Sequence, residues 1–184
     1  MDKGRVIWEQ GRFALTLERL CRQLIEHFDN FSDVCFVGVQ PRGVALAERL
    51  RQKLADKGLE PAHTGRLDIT FYRDDFRTRN KPLKASPTDM DFLVDGKNVV
   101  LIDDVLYSGR TIQAALTALN HYGRPHRVVL LALVDRRFNR HLPIQSDFTG
   151  LTVDALDEAY VKVEWAEIHG TDRILLFAHK PEDD

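Results

Sequence analysis

The chain has 184 residues, of which 43% are hydrophobic and 29% are charged, and its formal net charge is −2. These values indicate one soluble, ordered globular domain without an overall bias toward polyanions, so nucleic-acid binding would require a local basic patch. No apolar run approaches the length that spans a membrane, and the first residues lack the apolar core of a signal peptide, which predicts a cytoplasmic protein.

The first predicted elements are a helix, a strand and a second helix. Apolar residues recur at helical spacing from Phe13 to Phe28 with polar residues between them, which is typical of an amphipathic helix. The apolar run from Val34 to Val39 predicts a buried strand. It is followed by Gln40-Pro41-Arg42-Gly43 and by a helical pattern from about Val44 to Lys57, so these segments form a strand, loop and helix of the kind that binds phosphate.

The next segment combines a predicted strand with a long loop. Leu67 to Arg73 alternates apolar and polar residues like a half-exposed strand. From Asp74 to about Asp95 the chain is rich in Asp, Arg, Lys and Pro and lacks apolar periodicity. Long loops without structure of their own are often active-site lids, so we expect a mobile loop here.

Two carboxylates follow the next apolar strand. Val99-Val100-Leu101-Ile102 predicts a strand buried on both faces of a parallel sheet, and it ends at Asp103 and Asp104. Ligands of open α/β sheets bind beyond the carboxyl ends of the strands. Because ionised carboxylates only accept hydrogen bonds, this pair suits two vicinal hydroxyls of a ribose.

A small, hydroxyl-rich turn comes directly after the two acids. Gly109 tolerates unusual backbone dihedrals, and a helical pattern runs from Thr111 to Leu119. Exposed backbone N–H groups at such a helix start bind a phosphate dianion, and the hydroxyls of Ser108 and Thr111 add donors. The acids and the turn together predict a site for a sugar phosphate, such as a ribose 5-phosphate.

Two other interpretations of this segment are open. It could be a buried strand with a solvated acidic turn and a capped helix, or the magnesium-binding strand of a nucleotide hydrolase. A nucleotide hydrolase of that type needs a loop G-x-x-x-x-G-K followed by Ser or Thr, and a dinucleotide site needs G-x-G-x-x-G after a strand. The chain contains neither arrangement, so we favour the sugar-phosphate site.

The remaining predicted elements are strands. Val128 to Val134 is a second run that predicts a strand buried on both faces, and it ends at Asp135-Arg136-Arg137. An irregular segment from Phe138 to Leu151 follows. Val161 to Trp165 and Arg173 to Phe177 are then expected to pair as a hairpin.

The chain has two cysteines, and both lie in apolar segments. Cys21 falls in the first predicted helix and Cys35 in the first predicted strand. Two cysteines in such positions favour buried free thiols in a reducing compartment over a disulfide framework or a metal cluster.

Residues 99–111 resemble the phosphoribosyl pyrophosphate (PRPP) signature of the type I phosphoribosyltransferases, in which a hydrophobic strand and two acids precede four residues, Gly, any residue and Thr. Nearly the whole chain is similar to the bacterial family of pyrimidine-operon attenuation regulators that are also uracil phosphoribosyltransferases. The further blocks that carry this similarity are 67–75, 123–125, 133–136 with 142–144, and 161–163. Two segments depart from the family pattern: 137–141, which is one residue longer, and 150–155.

The resemblance implies an α/β protein with the type I phosphoribosyltransferase fold, whose central, mostly parallel five-stranded sheet is flanked by helices. In this family a small hood covers the site and a mobile loop closes over it. Residues 1–184 would form a single phosphoribosyltransferase domain, with the mobile loop at about 74–95 and the hood at about 136–160 together with the C-terminal strands. The family also suggests a homodimer or a higher homo-oligomer.

The resemblance assigns roles to residues along the substrate. Asp103 and Asp104 would be catalytic, and a magnesium ion would be bound by oxygens of the substrate, without a dedicated metal site in the protein. The pyrophosphate would meet Pro41, Arg42 and Gly43, which stand where the family has Thr-Arg-Gly. The residues that would bind the 5-phosphate of PRPP or of uridine monophosphate (UMP) are Val105, Leu106, Tyr107, Ser108, Gly109, Arg110 and Thr111.

Further residues are expected beside the base and in the lid. The resemblance implies that Arg136 and the backbone around Val161 lie on the base side of the substrate, although Arg136 could equally form a structural ion pair. Arg73 is a lid candidate for contact with the pyrophosphate. The other basic residues of the lid, each of which could equally be a solvated loop charge, are Arg77, Arg79 and Lys81.

The implied activity converts uracil and PRPP to UMP and pyrophosphate, and the protein could also be a UMP-responsive regulator of the pyrimidine operon. Two alternatives are open: a regulator that binds pyrimidine-operon mRNA with little or no catalytic activity, and a phosphoribosyltransferase for a different base, such as a purine. The arginines that favour RNA binding are Arg12, Arg19, Arg22, Arg136, Arg137 and Arg140.

Overall fold

Two separate sheets and their connecting helices make up the fold. The computed structural model describes residues 4–74, 86–155 and 159–181. In chain order the elements are β1 (Arg5–Trp8), α1 (Gln10–His27), β2 (Val34–Val39), α2 (Gly43–Ala55), β3 (His63–Leu67), β4 (Asn98–Leu106), α3 (Arg110–Leu119), β5 (Arg127–Arg137), β6 (Phe148–Asp154), β7 (Tyr160–Glu164), α4 (Ala166–His169) and β8 (Arg173–Phe177).

The larger sheet has five parallel strands in the spatial order β3, β2, β4, β5, β6. This confirms the predicted fold class, an α/β protein whose five-stranded parallel sheet is flanked by helices. Alternate residues of the strands pack against α1 and α2 on one face and against α3 on the other, which explains why the apolar runs are nearly continuous. None of the described helices is long and apolar enough to cross a membrane.

The smaller sheet has three antiparallel strands in the order β1, β8, β7. The predicted hairpin is confirmed as the pair β7 and β8, with Val161 opposite Leu176, although the short helix α4 connects the two strands. Strand β1 was not predicted, because its four residues are too few to show a pattern. It pairs with β8, so both ends of the described chain meet in this sheet.

The strand predicted at Leu67–Arg73 is wrong. Strand β3 ends at Leu67, whose carbonyl accepts a hydrogen bond from the backbone N–H of Gln40 at 3.0 Å. The chain then turns, because the carboxylate of Asp68 accepts hydrogen bonds from the backbone N–H and the hydroxyl of Thr70, at 3.2 and 2.7 Å. A single 3₁₀ turn follows in place of a strand.

Strand β4 does not end at the two acids, as predicted, but continues through Asp103 and Asp104 to Leu106. Strand β5 is also longer than predicted and keeps pairing with β4 beyond the acids. The pairing of β4 with β2, in contrast, ends at Ile102. The acids therefore lie on a stretch of strand that projects beyond its neighbour on one side.

The segment predicted to be irregular, Phe138–Leu151, ends earlier because β6 begins at Phe148. Gly150 lies so close to β5 that a Cβ there would be 2.4 Å from the carbonyl oxygen of Leu133. A glycine and two threonines interrupt the apolar pattern of this strand, which hid it. Strand β6 falls within the 136–160 range predicted for the hood, but it pairs with β5 in the larger sheet.

Part of the predicted mobile loop pairs with β3. Asp89 and Arg66 exchange backbone hydrogen bonds at 2.9 and 2.8 Å, so this end of the loop is fixed beside the strand. Residues 75–85 of the loop lie outside the described residues. The basic lid candidates in that range are Arg77, Arg79 and Lys81.

Both cysteines are buried free thiols, as predicted. Cys21 lies on the buried side of α1 and Cys35 in β2. Burial raises the pKa of both thiols, that of Cys35 to about 11. They are therefore protonated at neutral pH and poorly reactive.

Arg49 on α2 connects the larger sheet's helical layer to the C-terminal elements. Its guanidinium donates to both carboxylate oxygens of Asp172, at 2.9 and 2.7 Å, and to both of Glu167, at 2.9 and 2.6 Å. It also lies 5.0 Å from the ring centroid of Trp165 and 5.6 Å from that of Phe13. Burial acts to raise the pKa of Asp172, but hydrogen bonds from Arg49 hold this pKa below its ordinary value.

Replacing Arg49 with Ala is expected to lower the free energy of unfolding by about 2 kcal/mol, because it leaves two carboxylates without their partner and removes aromatic contacts. Urea unfolding followed by tryptophan fluorescence measures the difference. The control is Arg51→Ala, which removes an exposed ion pair with Glu48 on the same helix and should change stability by less than about 0.5 kcal/mol.

The effect of Arg49→Ala should depend on pH. Since the pKa of Asp172 is lowered in the folded state, the ion pair contributes above the ordinary pKa of 3.8 and is lost as the pH falls through the folded value. The difference between parent and variant should therefore shrink in acid. A difference that stays constant down to pH 2 would contradict the ion pair as its source.

Candidate active site

A crevice lies at the carboxyl ends of β2 and β4. The direction of the strand order reverses there, because β3 lies on the far side of β2 while β5 and β6 lie on the far side of β4. Helix α2 follows β2 and helix α3 follows β4, on opposite faces of the sheet. The connections leading into these helices separate at this point, and ligands of open α/β sheets bind at such a switch point.

Asp103 and Asp104, here called the acid pair, border this crevice and are 5% and 4% exposed. Oδ1 of Asp103 accepts a hydrogen bond from the backbone N–H of Asp104 at 2.9 Å, whereas Oδ2 of Asp104 accepts none from the described residues. Burial, reinforced by the neighbouring Asp104, raises the pKa of Asp103 well above its ordinary value, and burial raises the pKa of Asp104 as well. Buried carboxylates of this kind are typical of sites where a ligand supplies partners.

The loop after β2 lies against β4 at the acid pair. A Cβ on Gly43 would be 2.2 Å from the carbonyl oxygen of Ile102 and 3.1 Å from Cα of Asp103, so only glycine permits this approach. The Gln40–Pro41 peptide bond in this loop is cis. The positive charge of Arg42 acts on both acids and opposes the rise in their pKa values. The predicted pyrophosphate loop, residues 41–43, is therefore adjacent to the acid pair.

An open cavity of about 510 Å³ adjoins the acid pair. Its lining residues are Arg73, Asp74, Asp103 and 105–112. Residues 105–111, here called the phosphate segment, were all predicted to bind the 5-phosphate, and all of them line the cavity. Gly109 has a φ of 89°, the left-handed conformation that its missing side chain allows, and α3 begins directly after it. The hydroxyl-bearing residues Ser108 and Thr111 and the start of a helix thus face one space.

Residues at the start of the predicted lid also line the cavity. Arg73, the lid candidate, is among the lining residues. Asp74 forms an ion pair with Arg110 in the first turn of α3. Nε of Arg110 also donates to Nδ1 of His141 at 3.4 Å. The start of the predicted lid is therefore connected to the phosphate segment.

Arg136 and Val161, predicted on the base side, are buried at 4% and 3% exposure and do not line the cavity. The guanidinium of Arg136 lies 4.0 Å from the ring centroid of Tyr107, which does line it. Val161 follows Tyr160, whose hydroxyl accepts a hydrogen bond from Arg42 at 2.9 Å. Arg136 thus contacts a residue that lines the cavity, whereas Val161 is connected to the predicted pyrophosphate loop through its neighbour Tyr160.

Several contacts to the phosphate segment were not predicted. The guanidinium of Arg140 donates to the carbonyl oxygen of Tyr107. The backbone N–H groups of His141 and Leu142 donate to the carbonyl oxygen of Ser108, at 3.0 and 3.2 Å. No periodicity or motif signals these contacts, because they join an irregular segment to a turn 33 residues earlier in the chain.

The described residues contain no group of three His, Cys, Asp or Glu side chains arranged to hold a metal ion. The acid pair nevertheless presents carboxylate oxygens, the ligands that magnesium prefers, and Oδ2 of Asp104 accepts no hydrogen bond from this part of the chain. The site therefore fits a magnesium ion whose other ligands come from a phosphorylated substrate.

Residues 7–168 match the family model of the phosphoribosyl transferase domain. Among curated proteins, the chain is 44% identical over 161 residues to the "bifunctional protein PyrR" of a Picosynechococcus species, covering 88% of this chain and 90% of that protein. It is 40% identical over 183 residues to the protein of the same name from Chloroflexus aurantiacus, covering 100% of both chains.

Solved structures of low sequence identity share the fold. The hypoxanthine phosphoribosyltransferase of Trypanosoma cruzi superposes with a TM-score of 0.71 at 12% identity, covering 96% of this chain and 97% of that chain. The hypoxanthine phosphoribosyltransferase of Staphylococcus aureus gives a TM-score of 0.70 at 17% identity, covering 100% of this chain and 96% of that chain. At these identities the similarity establishes the architecture alone.

Replacing Asp103 with Asn is expected to raise the midpoint of thermal unfolding at pH 7. Because the pKa of Asp103 is raised in the folded state, its negative charge opposes folding once the pH exceeds the ordinary value of 3.8, and Asn removes that charge. Below that pH the gain should shrink, since the acid is then protonated in both states.

Scanning calorimetry of parent and variant at pH 7 and in acid measures this effect. The matched control is Asp29→Asn, an exposed position at which neither midpoint should change. An Asp103→Asn variant that unfolds at a lower temperature than the parent at pH 7 would show instead that the acid pair stabilises the fold.

Proposed function

Because the chain belongs to the phosphoribosyltransferase family, and within it to the bifunctional PyrR proteins, we propose that it converts uracil and PRPP to UMP and pyrophosphate. One observation carries the proposal: the phosphate segment and Asp103 line one cavity of about 510 Å³ at the edge of the sheet, and the pyrophosphate loop approaches β4 at Asp103. These three parts correspond to the 5-phosphate, the ribose and the pyrophosphate of PRPP.

The phosphate segment would bind the 5-phosphate. Its backbone N–H groups lead into the positive end of α3, which favours an anion. Ser108 and Thr111 would add hydroxyl donors, and Arg110 adds a positive charge at the same helix start. The cavity is open, so a substrate can enter without a rearrangement of the sheet.

The acid pair would act on the ribose. As the bond between C1 and the pyrophosphate oxygen breaks, positive charge develops on the sugar ring, and carboxylates fixed nearby lower the energy of that state. The two vicinal hydroxyls of the ribose would donate to the acids and give Oδ2 of Asp104 a partner. Such donors favour the ionised form, so substrate binding would lower the pKa values that burial raises.

The pyrophosphate loop would bind the leaving group. Arg42 supplies a positive charge beside the acid pair, and the hydroxyl of Tyr160 holds its guanidinium at 2.9 Å. Gly43 lets the backbone of this loop approach β4, which would keep the pyrophosphate close to the ribose. Oxygens of the substrate, with carboxylate oxygens of the acid pair, would hold a magnesium ion, which would supply positive charge to offset the negative charge of the leaving pyrophosphate.

The base would lie on the side of Arg136 and Val161. Arg136 supports the ring of Tyr107, which would form part of the wall against which uracil packs. The backbone around Val161, next to Tyr160, would meet the edge of the base. Arg73 would reach the pyrophosphate when the lid closes and excludes water, which would otherwise hydrolyse the activated sugar.

The direct test is UMP formation by the purified protein from uracil, PRPP and magnesium, with a metal-free control. Metal-dependent product supports the proposal, and competition among uracil, hypoxanthine and guanine decides the base. No product with any of the three bases, at saturating PRPP, would overturn it.

Replacing Asp104 with Asn is expected to lower turnover by about a hundredfold or more, because the variant loses a fixed charge beside the developing positive charge of the ribose. Steady-state kinetics measures turnover, and circular dichroism checks the fold. Asp29→Asn, on the exposed surface, is the matched control and should keep parental turnover. Unchanged turnover in folded Asp104→Asn would remove this acid from the mechanism.

We propose binding of pyrimidine-operon mRNA as a second function. Arg19 on the exposed side of α1 donates to the carbonyl oxygens of Thr149 and Gly150 in β6, and Arg137 pairs with Asp154 on the same strand. Strand β6 therefore contacts Arg19 of α1 and Arg137 of β5, and these two arginines, with Arg12 and Arg22 on α1, would contact RNA phosphates. Phosphate contacts from these arginines do not require a positive net charge.

A gel-shift titration with the pyrimidine-operon leader RNA, with and without UMP, tests this function. The affinity should fall steeply with added salt, and Arg12→Ala should weaken binding and reduce the salt slope by about one unit. Arg51→Ala on α2 is the control and should bind RNA like the parent. The absence of a complex in low salt, with UMP present or absent, would rule out the second function.

A further inference from the structure

We infer that Arg140 is a positioning residue that fixes the phosphate segment in its binding conformation, so that its loss weakens the binding of phosphorylated substrate without affecting uracil. This inference rests on the proposed function, since it concerns the place where the 5-phosphate would bind. Arg140 itself does not line the cavity.

The guanidinium of Arg140 bridges the end of β5 and the phosphate segment. One of its nitrogens donates to the carboxylate of Asp135 at 2.5 Å, and another donates to the carbonyl oxygen of Tyr107. The side chains of Arg140 and Asp135 are 21% and 17% exposed, so water competes only partly for this pair. Asp135 thus orients the guanidinium, and the guanidinium orients the peptide group between Tyr107 and Ser108.

Two consecutive carbonyl groups of the phosphate segment are held from the same side. Arg140 holds that of Tyr107, and the backbone N–H groups of the two residues after Arg140 hold that of Ser108. In a trans peptide the C=O and N–H bonds point in opposite directions. The N–H groups of Ser108 and Gly109 therefore point away from residue 140, and both residues line the cavity. These are the donors that a phosphate group would use.

Packing supports the same turn. A Cβ on Gly109 would lie 3.4 Å from Cβ of Leu142 and 3.4 Å from two carbons of Ile144, so this part of the chain is in close contact with the turn. The ring of Tyr107 lies under the guanidinium of Arg136. Among the polar contacts to the carbonyls of the turn, those from residues 141 and 142 come from the backbone. The contact from Arg140 comes from its side chain, so a substitution can remove it.

Without Arg140, the peptide group after Tyr107 loses its side-chain tether and can rotate. A phosphate that binds to this turn must then order it, which weakens binding. Uracil would meet only the ring of Tyr107, which the guanidinium of Arg136 holds independently of Arg140. Loss of a hydrogen-bonded charge of this kind predicts about a tenfold loss of affinity for UMP and about a tenfold higher KM for PRPP.

The test uses Arg140→Met, which keeps the unbranched stem of the side chain and removes its donors. Calorimetric titration with UMP should show the tenfold loss, and steady-state kinetics should show the higher KM for PRPP with the KM for uracil unchanged within about twofold. Arg140→Lys keeps the positive charge but lacks the planar fork that meets both partners, and should retain more affinity than Arg140→Met. Arg51→Met, which breaks an ion pair outside the site, should behave like the parent.

Asp135→Asn provides a second variant that leaves Arg140 in place. It removes the charge that orients the guanidinium and should weaken UMP binding by a smaller factor. In the Arg140→Met background it should have no further effect, because the two residues act as a unit. Arg140→Lys and Asp135→Asn carry the test if Arg140→Met does not fold.

The outcomes separate this inference from the proposed function. If the parent binds UMP and every folded variant binds it equally well, Arg140 does not position the turn and the proposed function stands. A matching rise in the KM for uracil would also overturn the inference, because it would indicate general damage to the site. A parent that binds neither UMP nor PRPP would overturn the proposed function, and the inference with it.

Discussion

The burial of two adjacent carboxylates in a β-strand is the constraint on which this structure depends. Asp103 and Asp104 could be hydrated in a loop, but the continued pairing of β4 with β5 keeps them in the sheet at 5% and 4% exposure. Their charges are opposed by burial and only partly offset by Arg42. The fold therefore holds two acceptors in a fixed place, and one of their oxygens, Oδ2 of Asp104, has no hydrogen-bond partner among the described residues.

The parts of the fold that could be predicted are those whose information is local in the sequence. The apolar runs of β2, β4 and β5 indicate a parallel sheet because both of its faces are covered, and the spacing of the two acids, Gly109 and Thr111 indicates a turn into a helix. The turn at Asp68 and the strand around Gly150 were missed. In the first case a side chain competes with strand pairing, and in the second a glycine replaces the expected apolar residue.

The residues of the candidate site also divide into those that the local sequence predicts and those that it does not. Most of the residues that line the cavity lie between positions 103 and 112, whereas the residues that support them come from distant parts of the chain. Tyr160 holds Arg42 across 118 positions, and Arg140 holds Tyr107 across 33. Such contacts leave no periodic signal in a single sequence. The support from Arg140 comes from the 137–141 segment, which lies outside the run of residues that carries the PRPP signature.

The pairing of β1 with β8 has a consequence for synthesis on the ribosome. The larger sheet can be completed once β6 has emerged, but the smaller sheet needs β8, whose Ile174, Leu175 and Leu176 lie opposite residues of β1. Translation adds about 5–20 residues per second, so β1 remains unpaired for many seconds after it is synthesised. During that time its strand edge is exposed to other nascent chains. Strand β7, which brings Tyr160 to Arg42, also emerges late. The nascent chain would therefore acquire the phosphate segment before the support of its pyrophosphate loop.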